Sequence, residues 1–191
     1  MTGFVDAEWC FFLNKSSSTK ILAIKASMNL GLIPNEFVSE IVPIIRPQNI
    51  DFNIVDPYWL VGFIEGEGCF FIDIFKSKTN NIGYQVKLKF QITQHSRDYL
   101  LIKSFENYLE CGITREVAKR PACDFVVNKF LDIEQKILPL LINRPLQGVK
   151  SLDFEDFCKV VSIMKKKEHL TPQGLEKIKK IKSNMNTGRK L

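Results

Sequence analysis

Residues 57–67 read PYWLVGFIEGE, and stability alone would not select such a helix. Asp56 followed by Pro57 is a strong helix start, because aspartate caps the first N–H groups and proline fits the first helical position. Gly62 and Gly66 then lie one turn apart, each costing roughly 1 kcal/mol relative to alanine. Glu67 sits at the C-terminal end, where the helix dipole disfavours a carboxylate by about 0.3–1 kcal/mol. These three residues make sense together if a second helix approaches across the glycine face and a cation lies beside Glu67. The plainer alternative is an amphipathic core helix whose glutamate reaches water. An internal echo weighs against that alternative: TGFVDAEWCFF (2–12) matches VGFIEGEGCFF (61–71) at most positions, 59 residues apart. Gly3 and Ala7 repeat the small-residue spacing, and Glu8 matches Glu67. Trp9 stands where position 68 is glycine, and a left-handed conformation there would be costly for tryptophan.

The order of elements after this helix limits the architecture. CFFIDIF (69–75) reads as a strand, 77–83 as a turn, and YQVKLKFQIT (84–93) as a longer alternating strand. A helix over 97–110 ends at Cys111-Gly112, and strands are expected at 113–119 and 123–130. Helices follow at about 132–142, interrupted near Pro139, and at 151–168. Thr171-Pro172 begins a last helix at 172–183. The pattern is helix, two strands, helix, two strands, helix, plus a tail: an α+β unit with a four-stranded antiparallel sheet. Upstream, 14–20 reads as loop, 19–29 and 35–41 as short helices, and Pro43 to Asn53 as an extended linker. The 59-residue offset leaves no room for two full copies, so 1–18 is expected to hold a helix remnant, 19–56 a linker and 57–191 the complete unit.

Charge and cysteine usage exclude several functions. Residues 164–191 hold nine Lys/Arg and two Glu, which leaves the preceding 163 residues at −1 within a total of +6. The positive excess therefore lies in one tail, and the sheet must attract anions by arrangement rather than bulk charge. No apolar run reaches the roughly 18 residues of a membrane span, so no membrane partner is expected. Five cysteines without a CxxC pair argue against structural zinc and a disulfide framework, and suit free thiols in a reducing compartment. Two histidines are a poor supply for a His-based metal site.

LVGFIEGEG (60–68) resembles the LAGLIDADG motif position for position. GCFFIDIFKSK, FQITQH, the PLxxxK pattern and DFEDFCKV resemble stretches of the fungal mitochondrial single-chain branch of that homing endonuclease family, over 57–188. Residues 19–50 resemble the segment joining the family's two halves, and 1–12 the start of the first half. The resemblance implies the family's αββαββα fold in one complete copy, its antiparallel sheet forming a saddle on double-stranded DNA at an intron-insertion site. It also implies mitochondrial location and site-specific cleavage in which two motif helices each bring one carboxylate to Mg²⁺ at the scissile phosphates. On that implication Glu67 and Glu8 are the acidic metal ligands, Gln94 positions water, and Lys150 lies near the scissile phosphate. The DNA-facing residues would be Asp73, Phe75, Ser77, Thr79, Gln85, Lys87, Lys89, Gln91, Arg115, Asp124 and Asn128, with Gly62, Gly66, Gly3 and Ala7 packing the helices. Lys87 and Lys89 opposite apolar Val86, Leu88 and Phe90 carry this face from the residues themselves, a solvated outer strand face being the alternative. The tail (Lys165–Lys167, Lys177, Lys179, Lys180, Lys182, Arg189, Lys190) would hold phosphates non-specifically, with a solvated helix as the alternative. A short first half would impair cleavage unless a homodimer forms through the motif helix. The alternative function is a non-catalytic nucleic-acid-binding protein, such as an intron RNA maturase or a decayed relic.

Overall fold

A computed structural model describes residues 9–15, 22–28, 54 and 56–189, with 9–15 and 22–28 described as backbone. Helix α1 (Pro57–Glu67) starts where its sequence requires: Asp56 Oδ1 accepts the Tyr58 N–H at 2.8 Å and Pro57 takes the first position. The chain leaves α1 directly into strand β3 (Gly68–Lys76), and β4 (Tyr84–His95) returns antiparallel with Asp73 opposite Lys87. A short 3₁₀ turn at Ser96–Asp98 leads into α2 (Tyr99–Leu109), followed by β5 (Ile113–Glu116) and β6 (Ala122–Val127). The sheet order is β3-β4-β6-β5, all antiparallel. Helix α3 covers 130–143, α4 is Lys150–Lys165 and α5 is Pro172–Ser183, begun by Thr171, whose hydroxyl accepts the Gly174 N–H.

The expected αββαββα order is observed, and the differences have local causes. Strand β5 is shorter than predicted because the chain turns between Val117 and Ala122, through Lys119 at φ 69° and Pro121, and β6 ends early because a helix starts at Phe130 with Lys129 as its N-cap. The interruption expected near Pro139 takes the form of a π-helical turn at Ile133–Ile137. Proline cannot donate to the preceding turn and its ring crowds that turn's carbonyl, which a wider turn relieves. The helix predicted at 19–29 meets instead strand β2 (Leu22–Met28), paired antiparallel with β1 (Trp9–Lys15), which takes Asn14 and Lys15 from the predicted loop at 14–20. Strand pairing has overridden the helix propensity of Leu, Ala and Lys in that stretch. β1 begins at Trp9, 59 residues before β3 begins at Gly68, so the sequence echo extends into a shared strand start. Residues 1–8 and the segments read as a helix at 35–41 and a linker at 43–53 lie outside the described residues.

One face of the sheet is covered by helices. Phe70 of β3 packs against Phe90, Phe154 and Phe157 with ring centroids 5.3–5.4 Å apart, joining β3 and β4 to α4. Phe105 of α2 meets Phe63 of α1 and Phe125 of β6 edge to face. Leu60, Phe63 and Ile64 of α1 are buried in the same core. Each of these large side chains contributes about 1.5–3 kcal/mol by leaving water. The opposite sheet face is left uncovered by these helices, which fixes where polar chemistry can sit. Among the described residues no helix is long and apolar enough to cross a membrane.

The turn from α2 to β5 supplies a test. Gly112 has φ 82°, and a Cβ there would lie 2.5 Å from the Phe125 ring. Gly112→Ala combines a left-handed backbone cost with core overpacking and should destabilise by about 2–4 kcal/mol in urea unfolding. A loss below about 0.5 kcal/mol would contradict this packing.

Candidate functional site

The C-terminal end of α1 is where the candidate catalytic residues meet. Glu67, its last residue, is half-buried, and Gln94 Nε2 at the end of β4 donates to its Oε1 at a long 3.5 Å. Gln94 Oε1 accepts the His95 N–H at 2.9 Å, so the amide is tied at both ends. Lys150, the first residue of α4, donates from Nζ to the carbonyls of Ile64 at 3.1 Å and Gly66 at 2.9 Å. Ile64 O also accepts the Gly68 N–H, so the ammonium adds a second donor there, supplies one to Gly66 O, and offsets the negative end of the dipole. Glu67, Gln94 and Lys150 thus gather at one helix end. Glu8, Gly3 and Ala7 lie outside the described residues. Gly62 and Gly66 are half-buried on the side of α1 turned away from Leu60 and Ile64.

Gly68 corrects one expectation. It leaves α1 with φ −74° and ψ 146°, which is extended rather than left-handed. Its small size answers a steric need, since a Cβ would come within 2.7 Å of Ile64 Cγ2. The conformational cost expected for Trp9 on the left-handed argument therefore does not follow.

Sequence reasoning missed Glu65. Its Oε2 accepts the Gln147 N–H at 2.8 Å and its Oε1 the Gly148 N–H at 3.0 Å. The available hint was that Asp6 matches Glu65 in the 59-residue echo.

The uncovered sheet face carries most of the predicted DNA-facing residues. Cross-strand pairs place Asp73 opposite Lys87, Phe75 opposite Gln85, Phe71 opposite Lys89, Thr93 opposite Asp124, and Asp124 opposite Arg115. Lys87 Nζ lies 5.2 Å from the Phe75 ring centroid and Lys89 Nζ lies 4.3 Å from that of Phe71. Phe75, an awkward base-reader, is thus a ledge for a lysine, as is Phe71, which the sequence reading left out. Ser77 and Thr79 lie beyond β3 in the turn, their hydroxyls 3.0 Å apart. Asn128 is exposed one residue past β6. Asp124 shares this face but is not presented on it: it is 5% exposed, and Thr93 Oγ1 donates to it at 2.7 Å. Gln91 Nε2 donates to Thr93 Oγ1 at 3.0 Å, and Arg115 lies 3.9 Å from Asp124 on its other side. Asp124 therefore fixes its neighbours rather than reaching outward, and Thr93 is a second residue the sequence did not single out.

The basic tail is less uniform than its charge suggested. Arg189 is not available to phosphates: it donates to Asp153 Oδ1 from Nε at 2.9 Å and from a terminal nitrogen at 2.7 Å, and to Asp156 at 2.7 Å. Lys165 pairs with Glu134, and Lys179 with Glu176. Lys166, Lys167, Lys177, Lys180 and Lys182 are exposed, and Lys190 lies outside the described residues. The four cysteines whose side chains are described are free thiols, and burial pushes Cys111 and Cys158 up to about 11.

An all-oxygen set around Glu67 suits a hard divalent cation. Among the described residues no group of three or more His, Cys, Asp or Glu could hold a metal ion alone. A cation at Glu67 therefore needs further oxygens, from a second carboxylate or a phosphate.

Known proteins share this fold. A model of the LAGLIDADG endonuclease family matches residues 60–161. Over 83% of its length the chain is 35% identical to probable intron-encoded endonuclease 3 of Neurospora crassa, covering 30% of that protein. The I-SmaMI LAGLIDADG homing endonuclease bound to cleaved DNA superposes with TM-score 0.77 at 40% identity, over 86% of this chain and 55% of that one. I-SmaMI bound to uncleaved target DNA in the presence of calcium ions gives TM-score 0.84 at 26% identity over 98% of both chains. The chain thus spans about a third of the curated relative's length.

The Arg189 ties yield a pH-dependent prediction. Burial opposes the charge on Asp156, but hydrogen bonds from Lys159 and Arg189 outweigh it and hold the carboxyl below its ordinary 3.8. A lowered folded value contributes stability above the ordinary value, lost as pH falls through the folded one. Arg189→Ala should cost about 1–3 kcal/mol at neutral pH in urea unfolding, with the loss shrinking below about pH 3. An equal loss at both pH values would count against the ion pair.

Proposed function

The chain belongs to the LAGLIDADG endonuclease family, and from that membership we propose that it cleaves double-stranded DNA at an intron-insertion site by metal-dependent phosphodiester hydrolysis. The observation that carries this reading is the convergence of Glu67, Gln94 and Lys150 at the end of α1, where α1 runs straight into the first strand of the sheet. Mg²⁺ is the proposed ion, and when bound it supplies Lewis acidity at the scissile phosphate. Glu67 would hold it through carboxylate oxygens, with Glu8 as the second carboxylate. Gln94, tied to Glu67 and to the His95 N–H, orients the attacking water beside that carboxylate. Lys150 keeps a positive charge at the helix end, where it offsets charge developing on the phosphate.

Lys87 and Lys89 stand out from the uncovered face beside Gln85 and Gln91, on a scaffold that fits the major groove. Asp124 holds Thr93 and, through it, Gln91 in fixed rotamers, while Arg115 lies on its other side. These side chains are the proposed base-readers, and the exposed lysines of α5 the non-specific phosphate contacts. The resemblance to the mitochondrial branch supports action inside mitochondria.

Selection from a randomised double-stranded DNA library with Mg²⁺ tests the reading. Glu67→Gln should lower cleavage of the selected sequence by at least about 10²-fold while its Kd stays within about threefold. Undiminished cleavage by that variant would overturn the assignment of Glu67. Failure of the unaltered chain to bind or cut any library member would overturn the nuclease reading itself.

A further inference from the structure

We propose that Glu65 is a positioning residue that fixes Lys150 at the end of α1, and through it the positive charge beside Glu67. The catalytic consequence rests on the nuclease reading above, but the positioning does not. Glu65 and Glu67 are two residues apart on one helix, about 200° around its axis, so both cannot aim at one cation. The structure distinguishes them: Glu67 meets Gln94, whereas both oxygens of Glu65 are engaged by backbone N–H groups of Gln147 and Gly148.

Those N–H groups lie just ahead of α4, whose N-cap, Val149, offers no side-chain cap. Glu65 therefore anchors from another helix the two residues that lead into α4, with its negative charge at the positive end of the α4 dipole. In return Lys150, the first residue of α4, reaches the carbonyls of Ile64 and Gly66 at the negative end of α1. The two ties cross, and each ends on backbone atoms, so they fix the helix ends whatever the neighbouring side chains do. Gly148 is part of the device, since a Cβ there would lie 2.7 Å from Glu65 Oε1 and push the carboxylate out of its seat. Without Glu65 the 147–149 segment loses its anchor, and the Lys150 stem no longer starts from a fixed point.

The test reads Lys150 directly by ¹⁵N-detected NMR of the lysine ammonium groups in the full chain, the signal being assigned by its loss in Lys150→Arg. The unaltered protein should show a slowly exchanging Lys150 ammonium. Glu65→Gln, which replaces one acceptor oxygen by a donor, should abolish that signal. Gly148→Ala, which displaces the same carboxylate without changing charge, should do so too. With DNA selected as above, either variant should lower kcat by about tenfold and leave the Kd within about twofold. A Lys150 signal that survives in both folded variants, or is absent from the unaltered protein, would overturn the proposal. A purely structural role would lower Tm and leave that signal in place. Loss of the signal in a chain that cuts no DNA would support the positioning and sink the nuclease reading alone.

Discussion

Two helix ends meet where α1 passes into β3, and each is tied to the other's backbone across more than eighty residues of sequence. Lys150 of α4 takes carbonyls of α1, and Glu65 of α1 takes N–H groups ahead of α4. Opposite charges thus sit at the ends of opposite dipoles, where the interaction is largest. The consequence is positional. Glu67 is the last residue of α1, so whatever fixes that helix end also fixes the carboxylate, and Gln94 reaches it from the far end of β4. Phe70 continues the same connection into the core by packing between β4 and α4.

The sheet face uses a different device for the same end. Its lysines would be mobile on a bare strand, but Phe71 and Phe75 lie beneath Lys89 and Lys87. Its one nearly buried acid, Asp124, is tolerated because Thr93 donates to it, with Arg115 near its other side. The long cationic side chains of this face are thereby held over aromatic rings rather than left to swing. The C-terminal segment closes the other side: Asn186 donates to the Phe70 carbonyl and Arg189 bridges Asp153 and Asp156, tying the start of β3 to the first turns of α4.

Much of this was legible in the sequence, and the rest was hidden for identifiable reasons. Asp56-Pro57 fixed the start of α1, and the alternation of Val86, Lys87, Leu88, Lys89 and Phe90 gave both the strand and its two faces. Glu67 was visible because a carboxylate at a glycine-bearing helix end is costly without a purpose. Glu65 had only the echo with Asp6 to mark it, because its partners are backbone groups 82 and 83 residues away, which leave no side-chain pattern. Arg189 was misread because a charge count ignores Asp153 and Asp156, 36 and 33 residues upstream. The stretch at 22–28 was misread because pairing with 9–15 outweighs a local preference for helix.

On the proposed function, the end of α1 holds a divalent cation at Glu67. Titrating Mn²⁺ into the isotopically labelled full chain tests it, because the paramagnetic ion broadens amide signals near its site. The amides of Gly66, Glu67, Gly68 and Gln94 should broaden first. If these stay sharp while signals around other acidic positions, such as Glu110 or Glu155, broaden first, the account is contradicted.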